Sequence, residues 1–338
     1  MKRPVLFPSL PLLLCLLWTA PALAGVGMTE AEFKDAQRGR TLKAHIWYPS
    51  DGGPAARFAE NAVFEGIDAV KDGPLRPGRY PLYILLHGTT GNWRNLSWLA
   101  ARLAENGGVV CAADHPGYTS GDATPATVIR VWDQPLDASF LAREMLRSRF
   151  KENIDPAKVF AVGYSLGGYS ALALAGARLD LRRYPAFCAE NQDRSCRYFQ
   201  AALPGLTEQD FAEAARDLRD KRFTAAVAIA PGFVEAFTDQ SIKAIAIPVL
   251  IVGGGKDQNI PPSTHFYPRL PEFPRKVFYR EIPEASHFSF MQLCKPGALK
   301  ILAEEDAEFV CMDYGSDRQA IHDRLYQYIQ EFLRQNGG

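Results

Sequence analysis

Residues 159–176, VFAVGYSLGGYSALALAG, constrain the fold more than any other stretch of the chain. Val159 to Val162 is a short apolar run of the kind that forms a strand buried on both faces of a parallel sheet. Ser170 to Ala175 is small and leucine-rich, which suits a helix packed closely under that sheet. Between them, Gly163-Tyr164-Ser165-Leu166-Gly167 has the spacing of a nucleophile elbow. A strand that turns at once into a helix strains the serine backbone, and bulky neighbours at the flanking positions would clash. Glycine at 163 and 167 removes those clashes. The serine then sits at a helix N-terminus, where free N–H groups and the dipole favour developing negative charge. G-x-S-x-G alone also marks ordinary glycine-rich turns. Here the strand before it and the helix after it supply the context that the catalytic reading requires.

The first 24 residues read as a secretory signal and not as part of the fold. Lys2 and Arg3 form a basic start, Leu10 to Leu17 an apolar run, and Ala22-Leu23-Ala24 an A-x-A cleavage site. The apolar run is too short to span a bilayer, and Pro8, Pro11 and Pro21 interrupt it. Cleavage after Ala24 would leave 314 of the 338 residues, enough for one α/β domain (25–338) with insertions. Losing Lys2 and Arg3 takes 38 basic side chains to 36 against 38 acidic ones, a net charge of −2. That balance argues against nucleic acid or an anionic membrane surface as partner, and no later apolar run is long enough to anchor the chain. The expected location is periplasmic or extracellular. In an oxidising compartment, sequence-near cysteines pair, which predicts Cys188–Cys196 and Cys294–Cys311 disulfides. Cys111 lies in an apolar run and is expected as a buried free thiol. No CxxC or histidine-rich spacing points to a metal, and no organic cofactor is implied.

Taken in order, the chain alternates strands and helices. Strands are expected at Thr41–Tyr48 near a sheet edge, Tyr80–Leu86, Val109–Ala113, Val159–Val162, Phe223–Ala230, Val249–Gly253 and Lys276–Ile282. Residues 49–79, rich in Gly, Pro and Asp, read as a surface excursion. Helices are expected at Asn95–Asn106, Pro135–Phe150 and Arg318–Leu333, with Pro135 and Asp137 at the start of the second. Residues 177–220 break the alternation and read as an inserted segment above the sheet, a candidate lid, with Thr207 capping a helix within it. Such alternation implies a mostly parallel, doubly wound sheet with ligands at the carboxyl ends of its strands.

A serine nucleophile needs a base to take its proton and a carboxylate to orient that base. Of the six histidines, only His287 follows the last strand directly, at the edge where the elbow points; His265 is the next candidate. Asp257 leaves the Val249–Gly253 strand through a glycine turn on the same edge, although by itself it would read as a turn residue capping its own backbone. Leu166 N–H and the Thr89 N–H after Leu86-His87-Gly88 are the expected oxyanion donors. Trp93, Tyr118, Trp132, Phe288 and Phe290 lie in loops near this edge and are candidates for the substrate pocket.

The segments LLHGTTGN, AADHPGYTSGD, AVGYSLGGYSALALAGA, PVLIVGGGKDQNIPP and ASHFSFMQLC resemble the bacterial "predicted dienelactone hydrolase" group. That group is related to the platelet-activating-factor acetylhydrolases, within the α/β-hydrolase superfamily. The resemblance covers roughly Thr41 to Cys294. It implies an α/β-hydrolase fold and a serine hydrolase acting on small-molecule esters, with the chain order Ser165, Asp257, His287. Two departures keep the substrates of either namesake from carrying over. Dienelactone hydrolases proper use cysteine where residue 165 is serine, and the strand after the elbow ends Ala230-Pro231-Gly232 without the acid the animal acetylhydrolases place there. The same triad would serve an amidase or peptidase, and the fold could also persist in a binding protein.

Overall fold

The computed structural model describes residues 25–337, so the expected signal lies outside the described residues. Among the described residues ten strands form one sheet: β1 (Gly25–Asp35), β2 (Arg40–Ser50), β3 (Ala55–Phe58), β4 (Ile67–Lys71), β5 (Tyr80–Leu86), β6 (Val109–Ala113), β7 (Ile154–Tyr164), β8 (Ala225–Ile229), β9 (Val249–Gly254) and β10 (Val277–Ile282). Their spatial order is β10-β9-β8-β7-β5-β6-β2-β1-β4-β3. From β6 to β10 every pairing is parallel. β5 lies between β6 and β7, which creates the crevice at the carboxyl ends where ligands of such sheets bind.

Two expectations are corrected at the N-terminal end. The strand around Thr41–Tyr48 is not at the edge: β2 pairs antiparallel with β6 on one side and along its whole length with β1 on the other. Residues 49–79 are not merely a surface excursion, because β3 and β4 pair there and extend the sheet. These strands escape a hydropathy reading because they are short and carry Arg57 and Asp68, charges that also suit an exposed edge. β1 alternates Glu30, Glu32 and Lys34 with less polar neighbours, so it offers no apolar run either.

Side-chain alternation divides the core between the two faces of the sheet. Leu82, Ile84 and Leu86 of β5 join one cluster, under the helices Asp133–Met145 and Leu166–Ala175. Tyr83 and Leu85 join the other, under Ser97–Glu105 and Arg318–Asn336. All ten residues of Leu166–Ala175 are buried, and each enclosed leucine contributes about 1.5–3 kcal/mol relative to exposure. Asp137 falls inside its helix and not at its end: its carboxylate, fully buried, takes Arg38, Arg40 and His115.

Between Leu166–Ala175 and β8 the chain forms three short helices, Tyr184–Glu190, Arg194–Gln200 and Glu208–Ala214. Thr207 caps the third, in a capping box with Asp210. The Cys188–Cys196 and Cys294–Cys311 disulfides are both formed, and Cys111 is buried and free.

Candidate active site

Ser165 joins β7 to its helix with φ 56° and ψ −115°, a conformation that costs a non-glycine residue on the order of 1–3 kcal/mol. A Cβ on Gly163 would stand 1.9 Å from the Gly167 carbonyl oxygen, so the strand and helix can meet this closely only through glycine. The strained backbone is held from three sides. Ser165 N–H donates to Ile229 O at 2.9 Å, and Ser165 O accepts from Tyr169 N at 3.1 Å and Gly232 N at 3.2 Å.

His287 Nε2 lies 3.1 Å from Ser165 Oγ, and His287 Nδ1 lies 2.7 Å from Asp257 Oδ2. A carboxylate only accepts, so Nδ1 carries the proton and Nε2 presents its lone pair to the serine hydroxyl. The other Asp257 oxygen accepts from Asn259 N and Ile260 N, each at 2.8 Å, which fixes the carboxylate. His287 and Asp257 are both buried, and Ser165 is half-buried. The three residues that the sequence sets 92 and 30 positions apart thus form one chain of hydrogen bonds.

Gly88 packs on the serine so closely that a Cβ there would stand 3.1 Å from Ser165 Cβ. This contact brings the Gly88–Thr89 peptide beside Ser165. Gly91 N donates to Gly88 O at 3.0 Å, closing a tight turn in which Thr90 takes φ 56°. Among the described residues, neither Thr89 N–H nor Leu166 N–H donates to another group.

Several supports were not legible as site residues. Tyr164 OH donates to His287 O at 3.0 Å, and burial pushes its phenol pKa well up, so it stays a donor. Ser286 and Ser289 bond each other, Ser289 Oγ donates to Asp313, and Arg318 clasps Asp313 while donating to Gln292 O and Val310 O. The identity of Tyr164 within the elbow was the only sequence signal for any of these.

The other five histidines each have another partner. His45 stacks on Trp93 at 3.6 Å, and burial holds it down to about 4. Burial likewise holds His87 down to about 3; its Nδ1 lies 2.8 Å from Gly88 O. His115 lies 3.1 Å from Asp137, and His322, held down to about 3 by burial, stacks on Trp98. His265, the second candidate base, is enclosed between Asp193 and Glu235, away from the serine.

Of the five aromatic candidates, Phe288 alone keeps exposed surface beside the triad, edge-on to His287 at 5.2 Å and packed on Phe309. Trp93 is buried between His45 and Trp47, and Phe290 is buried under Tyr164. Tyr118, whose hydroxyl donates to Arg130 O, and Trp132 are buried in the core on the other face. Those four rings are packed within the core. Next to Phe288, the inserted helix Arg194–Gln200 approaches the acid loop: Ser195 N donates to Asn259 O at 3.3 Å, and Arg194 lies over Phe309. Among the described residues, no group of three or more His, Cys, Asp or Glu side chains is arranged to hold a metal ion.

A doubly wound sheet with a strained serine at its central strand end, bonded in turn to a histidine and an aspartate, already defines a class of protein. The chain belongs to the alpha/beta hydrolase family, whose model matches residues 83–294. It is similar to two cutinases of Thermobifida alba, est1 and est2, each 26% identical over 246 residues. The match covers 70% of this chain and 64% of each relative's length. The fold is shared with a ferulic acid esterase from Streptomyces cinnamoneus, at 17% identity and a TM-score of 0.62, over 94% of this chain and 93% of that one.

Proposed function

We propose that the protein is an exported serine hydrolase that cleaves carboxylic esters through an acyl-enzyme on Ser165. The observation that carries the reading is the Ser165–His287–Asp257 hydrogen-bond chain beside two undonated N–H groups, at Thr89 and Leu166. His287 takes the serine proton as Oγ attacks the ester carbonyl, and then gives it to the leaving alkoxide. The two N–H groups hold the oxyanion of the tetrahedral intermediate. Water, deprotonated by the same histidine, releases the acid and restores the serine. Asp257 keeps the imidazole in its productive tautomer and stabilises its charge.

The names of the relatives, two cutinases and a ferulic acid esterase, support ester over amide substrates. The two disulfides support export to an oxidising compartment. The motif resemblance supports kinship with the dienelactone-hydrolase-like group inside the family. We read the inserted segment 177–220 as a roof over the acid side of the site, since its second helix bonds the Asp257 loop.

The purified mature chain should hydrolyse nitrophenyl esters and leave matching anilides nearly untouched. A fluorophosphonate probe should label it, and Ser165→Ala should be neither active nor labelled. Equal labelling of both proteins would overturn the nucleophile assignment, and faster cleavage of anilides would replace the esterase reading with an amidase one.

A further inference from the structure

We propose that Gln134 is a positioning residue for the oxyanion pocket: with Ser170 it forms a buried strut between the two segments that supply the oxyanion donors. The inference rests on the reading of Ser165 as nucleophile given above. Gln134 stands in the first turn of the helix Asp133–Met145 and is fully buried, where an unpaired amide would be costly. Both of its ends are used, and neither bonds its own helix. Nε2 donates to His87 O at 2.9 Å, and Oε1 accepts from Ser170 Oγ at 2.8 Å.

Each end meets an oxyanion segment. Ser170, also fully buried, lies one helical turn beyond Leu166, and its hydroxyl is 3.1 Å from Leu166 O. His87 precedes the Gly88–Thr89 peptide, and its ring nitrogen Nδ1 lies 2.8 Å from Gly88 O. A carbonyl only accepts, so Nδ1 is the donor here; Nε2 accepts from His115 N at 3.3 Å. In a trans peptide the N–H points opposite to the C=O. Fixing Gly88 O therefore aims Thr89 N–H the other way, which is the orientation an oxyanion donor needs. Gln134 fixes the backbone that carries His87, and Ser170 ties that support to the helix whose first N–H is the second donor. Through the strut, the spacing between the two donors is set by side chains that touch no substrate.

The test compares wild type, Gln134→Met and Ser170→Ala with an activated ester and a boronic acid that forms a tetrahedral adduct on serine. Removing an oxyanion donor costs about 10²–10³ in turnover; displacing one should cost about 10–100-fold in Gln134→Met and less in Ser170→Ala. KM should stay within about twofold, and the boronate inhibition constant should rise in step with the loss of kcat/KM across the series. A role confined to packing would lower the melting temperature without this parallel. Folded variants with unchanged kcat, or with lowered kcat and undiminished boronate affinity, would overturn the inference. Should Gln134→Met lack a cooperative melt, Ser170→Ala, which only removes a hydroxyl, decides the matter alone. Wild type that neither turns over ester nor labels at Ser165 refutes the nucleophile reading and this inference with it; active, labelled wild type with indifferent strut variants refutes the strut only.

Discussion

The inserted segment is fastened to the sheet by a buried ionic clasp whose strength should depend on pH. His265 is fully buried, with Nδ1 2.8 Å from Glu235 Oε2 and Nε2 2.9 Å from Asp193 Oδ2. Asp193 belongs to the insertion, where its other oxygen caps the helix Arg194–Gln200, and Glu235 follows β8. Burial works against a charged imidazole here, but the two carboxylates outweigh it and hold His265 up to about 10. An unfolded histidine titrates near 6.5. The folded value is the higher one, so the stabilisation is complete below about pH 6.5 and is lost as pH rises through about 10. At about 1.4 kcal/mol for each tenfold preference, discounted for relaxation around a buried pair, the clasp contributes on the order of 4 kcal/mol.

The perturbation that reads this out is His265→Gln, which can donate to one carboxylate but brings no charge. For a chain of this size about 2 °C of melting temperature accompanies each kcal/mol, so wild type should melt roughly 8 °C above the variant at pH 6.5. The gap should shrink by most of that amount between pH 6.5 and 10, while titrating groups outside the clasp cancel in the difference. Melting followed by circular dichroism with both disulfides intact measures it. A gap of the same size at both ends of the range would refute the reasoning.

Asp257→Asn should lower kcat about 10⁴-fold with an unchanged melting curve, measured on a nitrophenyl ester, because the wrong imidazole tautomer would face the serine. The Cys294–Cys311 bridge closes a 17-residue loop, worth on the order of 3 kcal/mol by loop entropy. Mild reductant should therefore lower activity before it lowers secondary structure, with Cys111 staying unreactive because burial pushes its thiol up to about 12.

What the sequence made legible follows from where the signal resides. The parallel core strands are apolar on both faces, so β5 to β9 stand out as runs, and the elbow is fixed by glycines that no other residue can replace. Asp257 and His287 stand out in the sequence as candidates because chain order leaves each at a strand's carboxyl end. β1, β3 and β4 were not legible, since their pairing follows from what lies beside them and not from their own hydropathy. The burial of four of the five aromatic candidates is hidden from the sequence for a similar reason. A loop position places Trp93 near the site, but only the fold shows its ring turned inward against His45. Gln134 and Ser170 are polar residues on helices, and nothing in their spacing marks them as partners across 36 residues.

Ser165, Asp257 and His287 reach one place from supports of unequal stiffness, and the fastenings are distributed accordingly. Ser165 lies at the end of a central strand, bonded by neighbours on both sides, and needs only its elbow. Asp257 follows β9, one strand in from the edge, and is fixed by its own turn together with the inserted helix. His287 stands five residues beyond β10, and β10 is the edge strand, paired on one side only. Its loop has the least help from the sheet, yet its ring must stay in reach of both other residues, and an error of an ångström can cost about 10² in rate. The strongest fixings converge there: the Cys294–Cys311 bond, the Arg318–Asp313–Ser289 chain, and the Tyr164 hydroxyl on the His287 carbonyl. Two of the three connect to residues from Cys311 onward, so the C-terminal segment, which contributes none of the three residues, helps set the position of His287.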